Sequence, residues 1–273
     1  MHGDRLRHGV RVSSGPLTYA TGPVRLGTDR RDAGEDYAGQ DRAGNKIPRQ
    51  SRNQEQRLLP QRYPKYNFEM FPRQLCFLAD CLDETKDVEG SIVEVGCAYG
   101  VTTTFLYEYM IESGFKKEYM CIDTFSGFTK SDIGVERTER DNVHMWIDGV
   151  YKDNNPAWFA ERLAERSITD VKIVQSDICT LDPTELPESI SFCLLDVDLY
   201  QPIKVGLEKL YPRLSPGGII VVDDCWSKPR HLFVEGIADA YGGALQAYRE
   251  FTASEGLPEE LVEAKLGVIR RPA

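Results

Sequence analysis

The chain has 273 residues, 41% of them apolar, and a formal net charge of −10, which fits one large or two small globular domains. The charge is unevenly spread, since residues 1–62 hold 12 of the 33 basic and 7 of the 43 acidic side chains. The acidic remainder excludes a nucleic-acid groove, which needs a dense basic surface.

Neither a membrane segment nor a disulfide framework is indicated. No run approaches about 18 apolar residues, so we predict no transmembrane helix, and the N-terminus lacks the apolar segment of a signal peptide. The seven cysteines are an odd number, and none forms a C-x-x-C pair. This usage favours reduced thiols in a cytoplasmic protein.

The N-terminal part differs from the rest in composition. Residues 1–60 are rich in Gly, Arg, Asp and Gln and have no apolar periodicity. Such a segment buries too little apolar surface to order itself, so we expect a disordered or loosely docked arm followed by a folded domain over residues 61–273. Apolar residues at helical spacing predict the first helix of that domain over Phe71–Asp83.

Strands and helices then alternate along the chain. The predicted strands are Ser91–Val95, Glu118–Ile122, Val171–Val174, Ile190–Leu195, Gly218–Val222, and two more near Leu245–Phe251 and Ala264–Arg270. The predicted helices are Val101–Ser113, Pro156–Arg166, Pro202–Leu214 and Lys228–Tyr241. This order indicates an α/β fold, a Rossmann-like, doubly wound, mostly parallel seven-stranded sheet with an antiparallel hairpin at its edge.

One stretch does not fit the alternation. Residues 124–154 are polar, contain glycine and have no clear period. This is long for a connection in a compact domain, and long connections are often functional. We therefore predict that residues 124–154 form a lid over the active site.

Four aspartates follow two of the predicted buried strands. Asp196 and Asp198 come after one strand, and Asp223 and Asp224 after the next. Asp196 and Asp198 are two residues apart and so face the same side, whereas Asp223 and Asp224 can act together only if their strand ends and turns there. Ligands bind at the carboxyl edge of such a sheet. Because clustered carboxylates repel one another, a cation is expected among them, and Mg²⁺ is the simplest candidate.

A glycine turn follows the first strand. Gly96 and Gly100 are spaced G-x-x-x-G, and Ala98 stands where a dinucleotide-binding loop has its middle glycine. Glycines let the backbone approach a ligand closely, at the start of the next helix. The spacing therefore favours a ligand other than NAD.

Three acidic residues lie at the ends of three strands of the same sheet. Asp123 is placed to accept hydrogen bonds from two ribose hydroxyls, and Asp177 could hold an adenine amino group. Glu94 ends the strand before the glycine turn. Because no basic residue accompanies the turn, the set indicates an adenosine ligand without phosphates.

Five segments of the chain form one ordered pattern. They are Val93–Gly100, Asp123–Phe128, Asp196–Tyr200, Leu210–Gly218 and Val222–Asp224. The pattern resembles the class I S-adenosylmethionine-dependent methyltransferases. Its D-x-D-L-Y, Y-P-x-L-x-x-G-G and D-D motifs are similar to those of the macrocin, mycinamicin and novobiocin sugar O-methyltransferases, and the resemblance covers about residues 64–271.

The resemblance implies a Mg²⁺-dependent O-methyltransferase of antibiotic biosynthesis. It would move a methyl group from S-adenosylmethionine to a sugar hydroxyl of a small glycosylated natural product. By resemblance, Asp196, Asp223 and Asp224 bind Mg²⁺ and Asp198 acts as the base. The cofactor site is predicted to comprise Glu94, Gly96, Tyr99, Gly100, Thr102, Thr103, Asp123, Ser126 and Asp177. Because relatives assemble through N-terminal segments, a homo-oligomer is expected.

Other functions stay open at this point. A nucleotide-binding oxidoreductase is disfavoured by the missing glycine, and an adenosine-binding protein without chemistry by the four aspartates. The catechol-type methyltransferases place a lysine three residues after the first aspartate, where this chain has Leu199. A catechol-like or polyketide hydroxyl as acceptor, or a metal-dependent protein of the cephalosporin-hydroxylase type, are the remaining alternatives.

Overall fold

The computed structural model describes residues 37–40, 46–48, 70–142, 149–226 and 242–273. The chain divides into two compact units, Met1–Pro64 and Lys65–Ala273. In the first unit, strands β1 (Tyr37–Gln40) and β2 (Lys46–Pro48) pair antiparallel. The rest of the predicted arm, the predicted helix Lys228–Tyr241 and residues 143–148 of the predicted lid lie outside the described residues.

The second unit contains a seven-stranded sheet in the order β5-β4-β3-β6-β7-β9-β8. Its strands are β3 (Ser91–Val95), β4 (Tyr119–Asp123), β5 (Val171–Gln175), β6 (Ile190–Leu195), β7 (Leu214–Val222), β8 (Glu260–Val262) and β9 (Leu266–Arg270). Strands β3 to β7 are parallel, whereas β9 runs antiparallel to β7 and β8 antiparallel to β9. The predicted mostly parallel sheet with an antiparallel edge hairpin is confirmed.

Six helices are described in this unit. They are α1 (Pro72–Thr85), α2 (Val101–Glu112), α3 (Lys130–Thr138), α4 (Pro156–Glu165), α5 (Tyr200–Leu210) and α6 (Gly242–Ser254), with short 3₁₀ turns at Pro183–Glu185 and Tyr211–Arg213. None of those in the described ranges is long and apolar enough to span a membrane.

Three elements differ from the predictions, and one of them is the edge strand β8 (Glu260–Val262), which no predicted strand covers. The stretch predicted to be irregular contains α3, which begins with a Thr129 cap on the backbone N–H of Asp132. The segment Leu245–Phe251, predicted to be a strand, lies inside α6. The buried residues of α6 recur at helical spacing, and they include Ala244, Ala247, Tyr248 and Phe251. This period explains why the segment folds as a helix and not as a strand.

Side chains alternate between the two faces of the sheet, as in any strand. Ile92 of β3 packs in a core beneath α1, α2 and α4, and Val93 packs in a second core beneath α5 and α6. Both faces of the central strands are therefore buried, as the continuous apolar runs predict. All seven cysteines lie in the described ranges and are free thiols.

The parallel strands end at the same level. Val95 of β3 is paired with both Ile122 of β4 and Leu195 of β6, and Leu195 is paired with Val222 of β7. The residues that follow these strands therefore lie in a row along the carboxyl edge of the sheet. In strand order the row runs from the Asp177 region, through Asp123 and Gly96, to the two aspartate pairs.

Candidate active site

Strands β3 and β6 touch where they leave the sheet. The backbone N–H of Asp196 donates to the Val95 carbonyl at 2.8 Å. Gly96 has a φ of +84°, and a Cβ atom there would lie 1.8 Å from the carbonyl oxygen of Asp196. Position 96 therefore requires glycine for both its dihedral angle and its contact.

A cleft of about 640 Å³, including its open mouth, lies at this edge. Of the predicted cofactor residues, Gly96, Asp123 and Asp177 line it, and so do Asp196 and Asp198. The cleft thus extends from the end of β5 to the first aspartate pair, and a single ligand could contact all these strand ends.

Asp123 connects the glycine turn to the loop after β4. Its Oδ2 accepts from the Ala98 N–H at 2.9 Å, and its Oδ1 from the Phe125 N–H at 2.6 Å. Burial raises the pKa of Asp123, and the backbone donors oppose that effect. A carboxylate has about four acceptor sites, so Asp123 retains acceptor capacity for a ligand in the cleft.

A second acidic group lies beside β5. Asp132 and Asp177 both line the cleft, and with Cys179 they bring ligand-type atoms within 4.8 Å of one another. Asp177 accepts from the Cys179 N–H at 2.8 Å, and Thr129 donates to Asp132 at 2.6 Å. Burial, with the Asp177 charge beside it, raises the pKa of Asp132. Sequence reasoning missed Asp132, although the T-x-x-D spacing of a helix cap was readable.

Six predicted cofactor residues do not line the cleft. They are Glu94, Tyr99, Gly100, Thr102, Thr103 and Ser126. Glu94 is 1% exposed and accepts from the Tyr119 hydroxyl at 2.8 Å. Burial raises the pKa of Glu94 to about 7, and hydrogen bonds from Thr103 and Tyr119 oppose that rise. These contacts place Glu94 in the core beneath α2. Its side chain is on the face of β3 that points away from the cleft.

The described end of the predicted lid lies against the glycine turn. Tyr151 lines the cleft, with its ring 6.0 Å from that of Tyr99 and 6.1 Å from that of Phe128. The Asn154 side chain donates to the Ala98 carbonyl at 2.5 Å. Tyr99 thus packs against Tyr151 and does not itself line the cleft.

Four aspartates lie at the ends of β6 and β7, and together they are called the acidic centre here. Carboxylate oxygens of Asp196, Asp198 and Asp224 lie within 4.8 Å of one another. Strand β7 ends at Val222, and Asp224 turns away with a φ of +57°; Asp198 has a φ of +61°. Burial, followed by the charges of Asp224 and Asp196, raises the pKa of Asp198 well above its usual value.

Asp223 lies against a lysine that the sequence reading missed. Its Oδ2 accepts from Lys265 Nζ, which also donates to Asp224 at 3.2 Å. Trp226 Nε1 donates to the same Asp224 oxygen at 3.0 Å. The sequence analysis assigns Asp223 to the metal and Asp198 to proton transfer; in the structure the oxygens of Asp196, Asp198 and Asp224 lie together, and Asp223 lies against Lys265. No local pattern points to Lys265, because only the pairing of β9 with β7 brings it here.

The acidic centre has the donor chemistry of a hard divalent cation. All its side-chain donors are oxygens, which suit Mg²⁺. The Oδ1 atom of Asp223 is buried and has no hydrogen-bond partner within the described ranges, and such an atom calls for an ion or a water. The residues present therefore fit Mg²⁺.

The sequence matches the macrocin-O-methyltransferase (TylF) family over residues 35–263. The chain belongs to this family. No curated protein matches it. As a macrocin-O-methyltransferase family member it is an S-adenosylmethionine-dependent O-methyltransferase of class I, and the cleft at the carboxyl edge is where such a fold takes its ligand.

Solved structures support the fold assignment. The O-methyltransferase NovP is 17% identical with a TM-score of 0.56, covering 74% of this chain and 80% of its own. The calicheamicin methyltransferase CalS11 is 20% identical with a TM-score of 0.55, covering 72% and 78%. The Podospora anserina methyltransferase PaMTH1, solved with S-adenosylhomocysteine bound, is 15% identical with a TM-score of 0.50, covering 75% and 80%.

Proposed function

We propose that this family member is a Mg²⁺-dependent O-methyltransferase that acts on a sugar hydroxyl of a small glycosylated natural product. The observation that carries the proposal is the shared lining: Asp196 and Asp198 belong both to the cleft and to the acidic centre. A methyl donor in the cleft and a hydroxyl at the acidic centre would therefore be neighbours. The macrocin name of the family and the calicheamicin name of CalS11 support a natural-product acceptor.

The cofactor would be bound along the row of strand ends. Asp123 has acceptor sites left for the ribose hydroxyls, and Asp177 for the adenine amino group. Gly96 lets the backbone of the turn approach the cofactor, since no side chain stands between. The predicted contacts at Glu94 and Thr103 would then be indirect, through the packing of α2 beneath the turn.

Mg²⁺ would be bound by Asp196, Asp224 and the unpartnered Oδ1 of Asp223. When bound it would polarise the acceptor hydroxyl and lower the pKa of that group. Asp198 is close enough to Asp196 and Asp224 to reach the same hydroxyl, and its carboxylate would serve as the general base. Asp198 would take the proton as the hydroxyl oxygen bonds to the methyl carbon and the carbon–sulfur bond breaks, releasing S-adenosylhomocysteine.

The first experiment is a calorimetric titration of metal-stripped protein with S-adenosylhomocysteine, followed by Mg²⁺. We expect nucleoside binding and then a stoichiometric Mg²⁺ signal. Absence of nucleoside binding would overturn the assignment of the cleft. Nucleoside binding without a Mg²⁺ signal would keep the cleft and reject the metal.

A further inference from the structure

Lys265 brings a buried positive charge into the acidic centre. Lys265 is 7% exposed and lies directly before β9, and its ammonium donates to Asp223 and Asp224. An ammonium that donates to two carboxylates in a buried site forms charge-assisted hydrogen bonds with them. Lys265 therefore acts as a cation beside this pair.

The position of Lys265 is fixed by its backbone as well as its side chain. Its carbonyl accepts from the Cys225 N–H at 2.7 Å, directly after the aspartate pair. Two residues later, Gly267 pairs with Val222 at the end of β7. The ammonium also lies 5.8 Å from the centre of the Trp226 ring, within cation–π range. Lys265 and the Asp223–Asp224 turn therefore form one unit.

We propose that Lys265 is a positioning residue of the methyl-transfer site, an internal counter-ion that holds Asp223 and Asp224 in place before a divalent cation binds. The proposal rests on the proposed function, because it assigns Mg²⁺ to the acidic centre. It has two consequences: the site stays assembled without metal, and its Mg²⁺ affinity is lower than the carboxylates alone would give.

Both consequences follow from charge. Without Lys265 the buried carboxylates would repel one another with nothing to offset the loss of solvent, so the metal-free protein would lose stability. The same change removes one positive charge from beside the Mg²⁺ position, so the ion would be attracted more strongly. Lys265 thus lowers the affinity of the site for Mg²⁺, and it stabilises the arrangement of the aspartates when no metal is bound.

The test compares Lys265→Met with wild type, in metal-free buffer and with Mg²⁺. We expect the melting temperature of metal-free Lys265→Met to fall by about 5–10 °C. Saturating Mg²⁺ should restore most of that loss through binding to the folded state. Calorimetry should give a Mg²⁺ dissociation constant roughly tenfold lower than in wild type.

Two further variants separate this role from packing. Lys117 is a half-buried lysine that donates to the Val88 carbonyl at the opposite edge of the sheet, so Lys117→Met should lose stability without any rescue by Mg²⁺. Lys265→Met combined with Asp223→Asn removes the charge and its partner together. This double variant should regain metal-free stability even if Lys265→Met alone is too unstable to purify.

The outcomes are distinct. Equal metal-free stability of Lys265→Met and wild type, or unchanged or weaker Mg²⁺ binding by Lys265→Met, would overturn the inference. A double variant no more stable than Lys265→Met would also overturn it. If wild type and all variants bind no Mg²⁺, the metal of the proposed function fails and the affinity consequence with it, and the double variant alone decides whether Lys265 positions the pair.

Discussion

At the scale of single residues, Asp198 has three properties that agree with its proposed role as base. It is buried, it lies within 4.8 Å of Asp196 and Asp224, and its backbone is in the left-handed region. A non-glycine residue at positive φ is uncommon and persists where its surroundings impose it. The turn therefore aims this carboxylate into the cleft.

Asp198→Asn should abolish turnover while leaving the cofactor site intact. The amide is nearly the same size but cannot take a proton, so the rate should fall at least about 100-fold, with S-adenosylhomocysteine affinity near that of wild type. Steady-state kinetics and calorimetry measure the two quantities. Asp182→Asn is the control, since Asp182 is an exposed helix cap. Full activity of Asp198→Asn would reject its role as base.

Glu94 should make stability depend on pH. Its pKa of about 7 in the folded protein lies above the ordinary value of 4.5, so the folded state binds the proton more tightly. Stability is then full below about pH 4.5 and falls as the pH rises toward 7. Glu94→Gln should flatten this fall, leaving the variant more stable at pH 8 by as much as about 3 kcal/mol.

Urea unfolding at pH 5 and pH 8 measures this difference. Glu118→Gln is the matched control, because Glu118 is an exposed glutamate immediately before β4. Parallel pH profiles for wild type and Glu94→Gln would contradict the expectation.

At the scale of elements, helix α5 begins directly after the acidic motif without a cap of its own. Leu199 stands at its N-cap, and Glu136 of α3 supplies the missing acceptor, taking the Tyr200 N–H at 2.9 Å. Asn142 donates to the other Glu136 oxygen at 2.8 Å. Gly243 of α6 leaves room for this contact, because a Cβ there would lie 2.7 Å from both groups. Three helices therefore fix the turn that carries Asp198.

Glu136→Ala should weaken both stability and catalysis. Removing a buried cap leaves a helix N–H unpaired, at a cost of about 1–3 kcal/mol. Because α5 starts two residues after Asp198, kcat should fall more than S-adenosylhomocysteine affinity. Glu139→Ala on the exposed end of α3 should do neither. Unaltered kinetics in Glu136→Ala would mean that α3 does not position the motif.

Sequence patterns predict these elements better than their contacts. Apolar runs place the five parallel strands to within a few residues, because buried strands must be apolar on both faces. The order of motifs also predicts that Asp123, Asp196 and Asp224 share one edge. Lys265 and Glu136 escape prediction, since each is brought to the site by packing with residues 41 and 64 positions away. Such contacts have no local period to read.

At the scale of the whole molecule, the strand order places the two parts of the candidate site on different strands. The ends of β3, β4 and β5 line the part of the cleft where the cofactor is proposed to bind, and β6 and β7 carry the acidic centre. The two parts lie along the same edge of the sheet, but different side chains form them. Loss of the metal should therefore spare the binding of the nucleoside.

Chelation tests this division. With EDTA, turnover should fall at least about 100-fold because the acceptor hydroxyl is no longer polarised, and excess Mg²⁺ should restore it. The S-adenosylhomocysteine dissociation constant should be unchanged by the chelator. EDTA already saturated with Mg²⁺ serves as the control for effects of the chelator itself. Undiminished turnover in EDTA would show that the acidic centre works without a metal.

The contact at Gly96 has a practical consequence for engineering. There is no space for a methyl group between the exit of β3 and the backbone of Asp196, so any substitution at position 96 would force these two segments apart. A designer who wants a wider range of acceptors should therefore keep glycine at position 96. Val197 and Pro202 line the cleft, and libraries at those two positions would test which side chains set the range of acceptors.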